Sequence, residues 1–232
     1  MTLYLSIDDT DDPVSPGTGN LARRIADHIA TDYRVLGVTR HQLFNHPDIP
    51  MTSHNSCAVI HIENGRSGAA LDIYSRAREM VLESCAPGSN PGIALAAGDR
   101  ISPEITAFGL AAKDSILTIA GARALAATVG ILAEGFGDTG EGIIGSIAGI
   151  GLAGLQNDGR FVKKGDLRSM RGRQPVSTLL RSGIDRVVTR DGIPLTQGLV
   201  ALQKFPRPAF VNGEAVLFVE QSGEEFIDLK LG

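Results

Sequence analysis

Four aspartates fall within five positions, Asp8, Asp9, Asp11 and Asp12, with only Thr10 between them. Like charges at this spacing repel one another, so the cluster costs stability unless something positive answers it. A divalent cation would. Asp9 and Asp11 fall on one side of an extended chain, and a turn at Thr10 brings Asp8 alongside. That gives two or three hard oxygen ligands, which suit Mg2+ with its remaining positions left for phosphate and water. The plainer reading is a solvated acidic turn. Gly17-Thr18-Gly19 follows at a helix start, where free amides and the helix dipole favour a bound phosphate. The Thr18 hydroxyl could itself accept a phosphoryl group; as ordinary structure it is an N-cap.

Other groupings are weaker. Gly135 to Gly145 is rich in glycine and feeds an uncharged helix, so Gly140 and Gly142 could cradle a phosphate. It lacks a Walker lysine and follows no predicted strand, and the glycines inside the helix read better as places where another backbone packs closely. Four of the five histidines, His41, His46, His54 and His61, fall within 21 residues, but without the helical spacing or cysteine partners of a zinc site. A nucleotide or substrate contact through His54-Asn55 fits them better. Arg160, Lys163, Lys164, Arg168, Arg171 and Arg173 place six positive charges against Asp166 alone in fourteen residues. That stretch is a solvated loop or a phosphate contact.

The elements that must position these groups follow from periodicity. Leu3, Leu5 and Ile7 alternate with Thr2, Tyr4 and Ser6, predicting a strand that ends in the aspartates. Leu21, Ala22, Ile25, Ala26 and Ile29 predict the helix after Thr18. Strands over 35–43 and 55–62 follow, separated by a loop with Pro47 and Pro50. Next come a helix with the stripe Ala70, Ile73, Tyr74, Ala77, Met80 and Val81, and a strand over 93–97. The order β-α-β-β-α-β predicts an α+β fold built on a ferredoxin-like unit, with two helices on one face of an antiparallel sheet. Ser102-Pro103-Glu104 opens a run of alanine- and glycine-rich helices that packs on this unit and ends near Leu155. Asp191-Gly192 and Asn212-Gly213 predict hairpins in a small C-terminal β module. The expected divisions are a nucleotide-binding domain over 1–155, a basic linker over 156–175 and the β module over 176–232.

Composition sets bounds on function. With 22 Lys+Arg against 26 Asp+Glu the net charge is −4, so any attraction for nucleic acid or an anionic membrane must be local. Cys57 and Cys85 alone suggest no disulfide framework, which fits a cytoplasmic protein. The N-terminus has no basic region before its first carboxylates, so no secretory signal is expected. The longest uncharged run, 142–157, is sixteen residues, shorter than the ~20 of a membrane span.

Ile7-Asp8-Asp9-Thr10-Asp11, the glycine turn, Thr18 and Leu21-Ala22 together resemble the opening of the kinase-like domain of archaeal tRNA(Ile) agmatinylcytidine synthetase. Asn45-His46-Pro47-Asp48-Ile49-Pro50 is similar to that family's Asn-Pro-x-Ile-Pro segment. Asn55 to Val59, Asn90-Pro91-Gly92 and Gly140 to Gly145 match further blocks in order. The resemblance implies an ATP-dependent activating domain in a shortened, standalone relative. Asp8, Asp9 and Asp11 would hold Mg2+ and the triphosphate, Gly17, Gly19, Asn55, Gly140 and Gly142 would contact nucleotide, and Thr18 would be the phosphoacceptor. Where the family has Gly-Arg-Gly this chain has Glu141 between glycines, and the family's further tRNA-holding domains have no counterpart in the C-terminal β module. The leading expectation is therefore a Mg2+- and ATP-dependent phosphotransferase or ligase-like enzyme on a small acceptor, with tRNA less favoured. The alternatives are a noncatalytic nucleotide- or RNA-binding protein and, ranked lower, a haloacid-dehalogenase-type phosphatase.

Overall fold

The first strand, β1 (Thr2–Asp8), is buried on both faces, with Leu3, Leu5 and Ile7 on one side and Tyr4 and Ser6 on the other. It therefore needs cover on both sides, and the computed structural model, which describes residues 1–49, 54–63, 65 and 68–229, shows how that is supplied. After β1 come α1 (Thr18–Ile29), β2 (Val35–Gln42), β3 (Ser56–Glu63), α2 (Ala69–Ser84) and β4 (Gly92–Ala97). Then follow α3 (Pro103–Ala111), α4 (Ile119–Val129), β5 (Leu132–Gly135) and α5 (Gly142–Gly154). The strands form an antiparallel sheet in the order β5-β4-β1-β3-β2. Helices α1 and α2 pack on it and on each other, while α5 crosses β1, β3 and β4 with α3 and α4 outside it.

Helix α1 has a clear apolar stripe, Leu21, Ala22, Ile25, Ala26 and Ile29, all buried. Helix α5 has none, because nearly every residue from Gly142 to Ala153 is buried between the sheet and α3; a helix enclosed all round shows no amphipathic period. Its glycines act as expected. A Cβ at Gly149 would run into Ser6, Cys57 and Val59, and one at Gly151 into the Ile105 carbonyl.

The structure departs from the sequence reading in several details. The glycine segment after residue 135 does follow a strand, the four-residue β5, whose half-buried Leu132-Ala133-Glu134-Gly135 lacks a two-residue alternation. Thr18 is the first helical residue of α1 and not its N-cap; Gly17 occupies that position at φ 88°, a left-handed conformation that glycine adopts freely.

By contact density the chain divides into Met1–Leu155 and Gln156–Gly232. The second unit contains β6 (Arg160–Lys163), β7 (Gly172–Pro175), α6 (Val176–Arg181), β8 (Arg186–Thr189), β9 (Leu199–Leu202), β10 (Ala209–Val211), β11 (Glu214–Ser222) and β12 (Glu225–Asp228). The basic stretch expected as a linker carries β6 and β7. Asn212 and Gly213, at φ 50° and 81°, make the expected hairpin between β10 and β11. Asp191-Gly192 makes a tight turn closed by the Ile193 carbonyl and the Thr189 N–H, without a full second strand. This unit has its own core around Val176, Leu179, Val187, Val200 and Leu217. Among the described residues no helix is long and apolar enough to cross a membrane.

Candidate active site

Strand β1 ends against α5, and this contact builds the site. The Asp8 carboxylate sits where a Cβ on Gly145 would be, so the first turn of α5 and the end of β1 approach as closely as a glycine allows. The chain then turns at Asp9, with φ 50°, one residue earlier than the turn expected at Thr10. The three aspartates consequently diverge. Asp8 lies under α5, Asp9 Oδ2 accepts the Asn90 N–H at 3.2 Å, and Asp11 Oδ1 accepts the Thr18 hydroxyl at 2.8 Å.

Thr18 is buried, and its Oγ1 also accepts the Thr10 N–H at 3.3 Å and the Thr10 hydroxyl at 3.1 Å. One helix-start hydroxyl thus ties the acidic turn to α1. Asn90 ties it to the glycine segment, since its Oδ1 accepts the Thr139 N–H at 2.9 Å and its carbonyl accepts the Gly142 N–H at 2.9 Å. Nothing in the local sequence pattern around Asn90 signals this role. Its partners are far away in the chain and are brought near by β1, β4 and α5.

Burial dominates the electrostatics of the site. Burial pushes the Asp8 carboxyl up to about 8, with the Asp9 and Asp11 charges adding to the effect against a hydrogen bond from the Asp9 backbone. Burial likewise raises Asp9 to about 6; the Asn90 N–H opposes it, and Asp11 and Glu141 reinforce it.

These groups open on a cavity of about 300 Å³. Asp8, Asp9, Asp11, Thr18, Glu141, Gly142 and Gly145 line one side, with Asp48, His54, Asn55 and Ser56 beside them, and the residues from Ser115 to Ile119 form a more apolar wall. Of the residues singled out from sequence, Asp8, Asp9, Asp11, Thr18, His54, Asn55, Glu141 and Gly142 meet here. Gly17, Gly19 and Gly140 are not among the described lining residues, and Gly140 packs on Gly135. Pro50 lies outside the described residues. Sequence reading quoted Asp48 and Ser56 only within longer matching segments and gave them no role, and it missed the 115–119 wall, where Thr118 caps α4 by accepting the Gly121 N–H at 3.1 Å. His41 and His61 are buried elsewhere, both bonded to Thr39 Oγ1.

Among the described lining residues there is no Lys or Arg, and among the described residues no group of three or more His, Cys, Asp or Glu stands ready to hold a metal ion unaided. The donors fit a hard cation that takes one or two carboxylates and completes its shell with phosphate and water, and not a cage made by protein alone.

The fold and this cleft together define a mixed α+β domain whose first strand presents carboxylates to a cavity beneath a buried glycine-rich helix. Solved structures share that fold. A tRNA fluorescent labeling enzyme matches with a TM-score of 0.57 at 24% identity, over 65% of this chain and 36% of that one. TiaS, a tRNA agmatidine synthetase, matches in its apo form with a TM-score of 0.55 at 22% identity, over 65% of this chain and 35% of that one. The TiaS complex with tRNA and ATP matches with a TM-score of 0.56 at 24% identity, over 65% and 36%. The likeness is one of fold, and this chain spans about a third of the length of those proteins. No protein family matches the chain, and no curated protein does.

Proposed function

We propose that this protein is a Mg2+-dependent, ATP-using phosphotransferase or ligase-like activating enzyme, with Thr18 as phosphoacceptor and a small-molecule acceptor beyond it. The observation that carries this reading is the Thr18 hydroxyl, held 2.8 Å from Asp11 at the edge of a cavity lined by two carboxyls of raised pKa. The order β4-β1-β3-β2 with two covering helices supports a ferredoxin-like unit as its frame. ATP in a complex of the similar protein supports a nucleotide here.

Asp8, Asp9 and Asp11 would supply the one or two carboxylates that hold a magnesium ion beside the phosphates. When bound, it would supply the charge neutralisation on which phosphoryl transfer mainly depends. Because no Lys or Arg among the described residues lines the cavity, these carboxylates would repel a bare triphosphate, so nucleotide binding requires the cation. Asp11 is placed to take the Thr18 proton as Thr18 Oγ1 bonds to the terminal phosphorus. The bridging P–O bond breaks, and its electron pair leaves with the rest of the nucleotide. Both lone pairs of Thr18 Oγ1 now accept from Thr10, so attack requires the Thr10 hydroxyl to rotate away. The Ser115–Ile119 wall suits an apolar or aromatic portion of nucleotide or acceptor.

A noncatalytic nucleotide-binding role is the second reading, favoured by Glu141 on the cavity wall in place of the family's arginine. Calorimetric titration with ATP tests the binding step. Affinity should need Mg2+ and fall at least tenfold in Asp9→Ala and Asp11→Ala; unchanged affinity in both variants removes the proposal. A phosphoaspartate in place of phosphothreonine would select the phosphatase-like chemistry.

A further inference from the structure

The second unit holds a cluster that the ATP reading leaves unused. Phe205 is half-buried, and the guanidinium carbons of Arg168, Arg207 and Arg171 lie 4.3, 4.8 and 5.6 Å from its ring centroid. Any two of them are therefore within about 10 Å of each other, close enough to face neighbouring phosphates of one strand. Neighbouring cations are neutralised. Arg173 pairs with Glu225 at 2.6 Å and Lys164 with Asp185 at 3.0 Å. Among the described residues the three arginines around Phe205 have no carboxylate partner. Two of them donate instead to carbonyls, Arg168 to Val162 and Arg171 to Arg168 and Met170. Their mutual repulsion shows in Arg168, whose pKa is lowered first by burial and then by the Arg207 and Arg171 charges.

Three guanidiniums gathered on one ring, without acids, lack an anion. Contact with the ring and the carbonyl hydrogen bonds of Arg168 and Arg171 keep the guanidiniums together, and a planar guanidinium grips phosphate through paired N–H bonds. A bilayer surface is met differently, by lysine-rich segments with apolar residues free to insert, whereas here the one aromatic ring is sheathed by arginines. We infer that the Phe205 cluster, with Arg168, Arg171 and Arg207, is a contact for the phosphodiester backbone of single-stranded RNA. This surface stands independently of the ATP site, and neither reading depends on the other. Sequence pointed to the basic stretch as a whole. The structure separates Arg173, which is paired, from Arg168 and Arg171, and adds Arg207 and Phe205.

Fluorescence anisotropy of a short labelled oligouridylate with the full chain, across a KCl series, tests it. The unaltered protein should bind with strong salt dependence. The double variant Arg168→Glu/Arg207→Glu should bind at least about tenfold more weakly, with a salt slope shallower by about 2. Phe205→Leu, which keeps every charge and removes the platform, should weaken binding several-fold. Arg123→Glu, a single charge reversal on exposed α4, should change little. Circular dichroism checks folding, and the milder Arg168→Gln/Arg171→Gln pair replaces any variant that fails to fold. Equal affinity and slope in the cluster variants, equal loss in Arg123→Glu, or retention on phosphatidylserine vesicles without retention of the oligouridylate would each overturn the inference.

Discussion

Asp8 makes a prediction that needs no knowledge of the acceptor. Its carboxyl is raised to about 8 in the folded, metal-free protein against 3.8 for the ordinary group, so between these values the folded state holds a proton that the unfolded chain has released. Stability must then fall as pH rises through that window, and the deficit is complete above about pH 8. Asp8→Asn should abolish it, raising stability by about 1–3 kcal/mol above pH 8 after allowance for partial solvent access, and changing little near pH 4. Thermal melts across pH check this; a variant no more stable than its parent at alkaline pH would mean that Asp8 ionises without penalty. Mg2+ should raise the melting temperature of the parent at alkaline pH and leave Asp8→Asn nearly unmoved. Thr18→Val removes a buried hydroxyl with three hydrogen-bonded contacts, and chemical denaturation should show a loss of about 1–2 kcal/mol, with the Thr10 N–H left unpaired.

At the scale of elements, the approach of β1 to α5 is what makes the site. A methyl at Gly145 would occupy the position of the Asp8 carboxylate, so Gly145→Ala should cost about 2–4 kcal/mol in denaturation and also abolish Mg2+-ATP binding, although residue 145 carries no chemical group itself. A Gly145→Ala protein of parental stability would show that the contact is looser than it stands here. The parts of this frame that were legible in the sequence are those written in a local period: the alternation of Leu3, Leu5 and Ile7, the stripe from Leu21 to Ile29, and the Asn212-Gly213 turn. The remainder left no such trace. Strand β5 is too short to alternate, α5 was legible only as an uncharged glycine-rich run because a helix buried all round has no period, and the bonds from Asn90 to Asp9 and to Thr139 span segments distant in the chain. Thr18 could be picked out by its place at a helix start, but its hydroxyl turns towards Thr10 and Asp11 and away from the helix amides, a choice made by tertiary contacts.

For the whole molecule, every described residue lining the cavity lies before residue 146, and the unit Met1–Leu155 has its own buried clusters. A chain ending at Leu155 should therefore fold and bind Mg2+-ATP with near-parental affinity in calorimetry, while losing retention of oligouridylate. A folded fragment unable to bind nucleotide would place part of the site in the second unit. A net charge of −4 hides both a carboxylate-lined cavity and an arginine cluster, because whole-chain composition averages surfaces of opposite sign. The central claim concerns the fate of one hydroxyl. Peptide mass spectrometry of the purified chain after incubation with Mg2+ and ATP measures it most directly: one added phosphoryl group on Thr18, absent without Mg2+ and absent in Asp11→Asn, is the result predicted, and an unmodified Thr18 under saturating Mg2+-ATP would contradict the account.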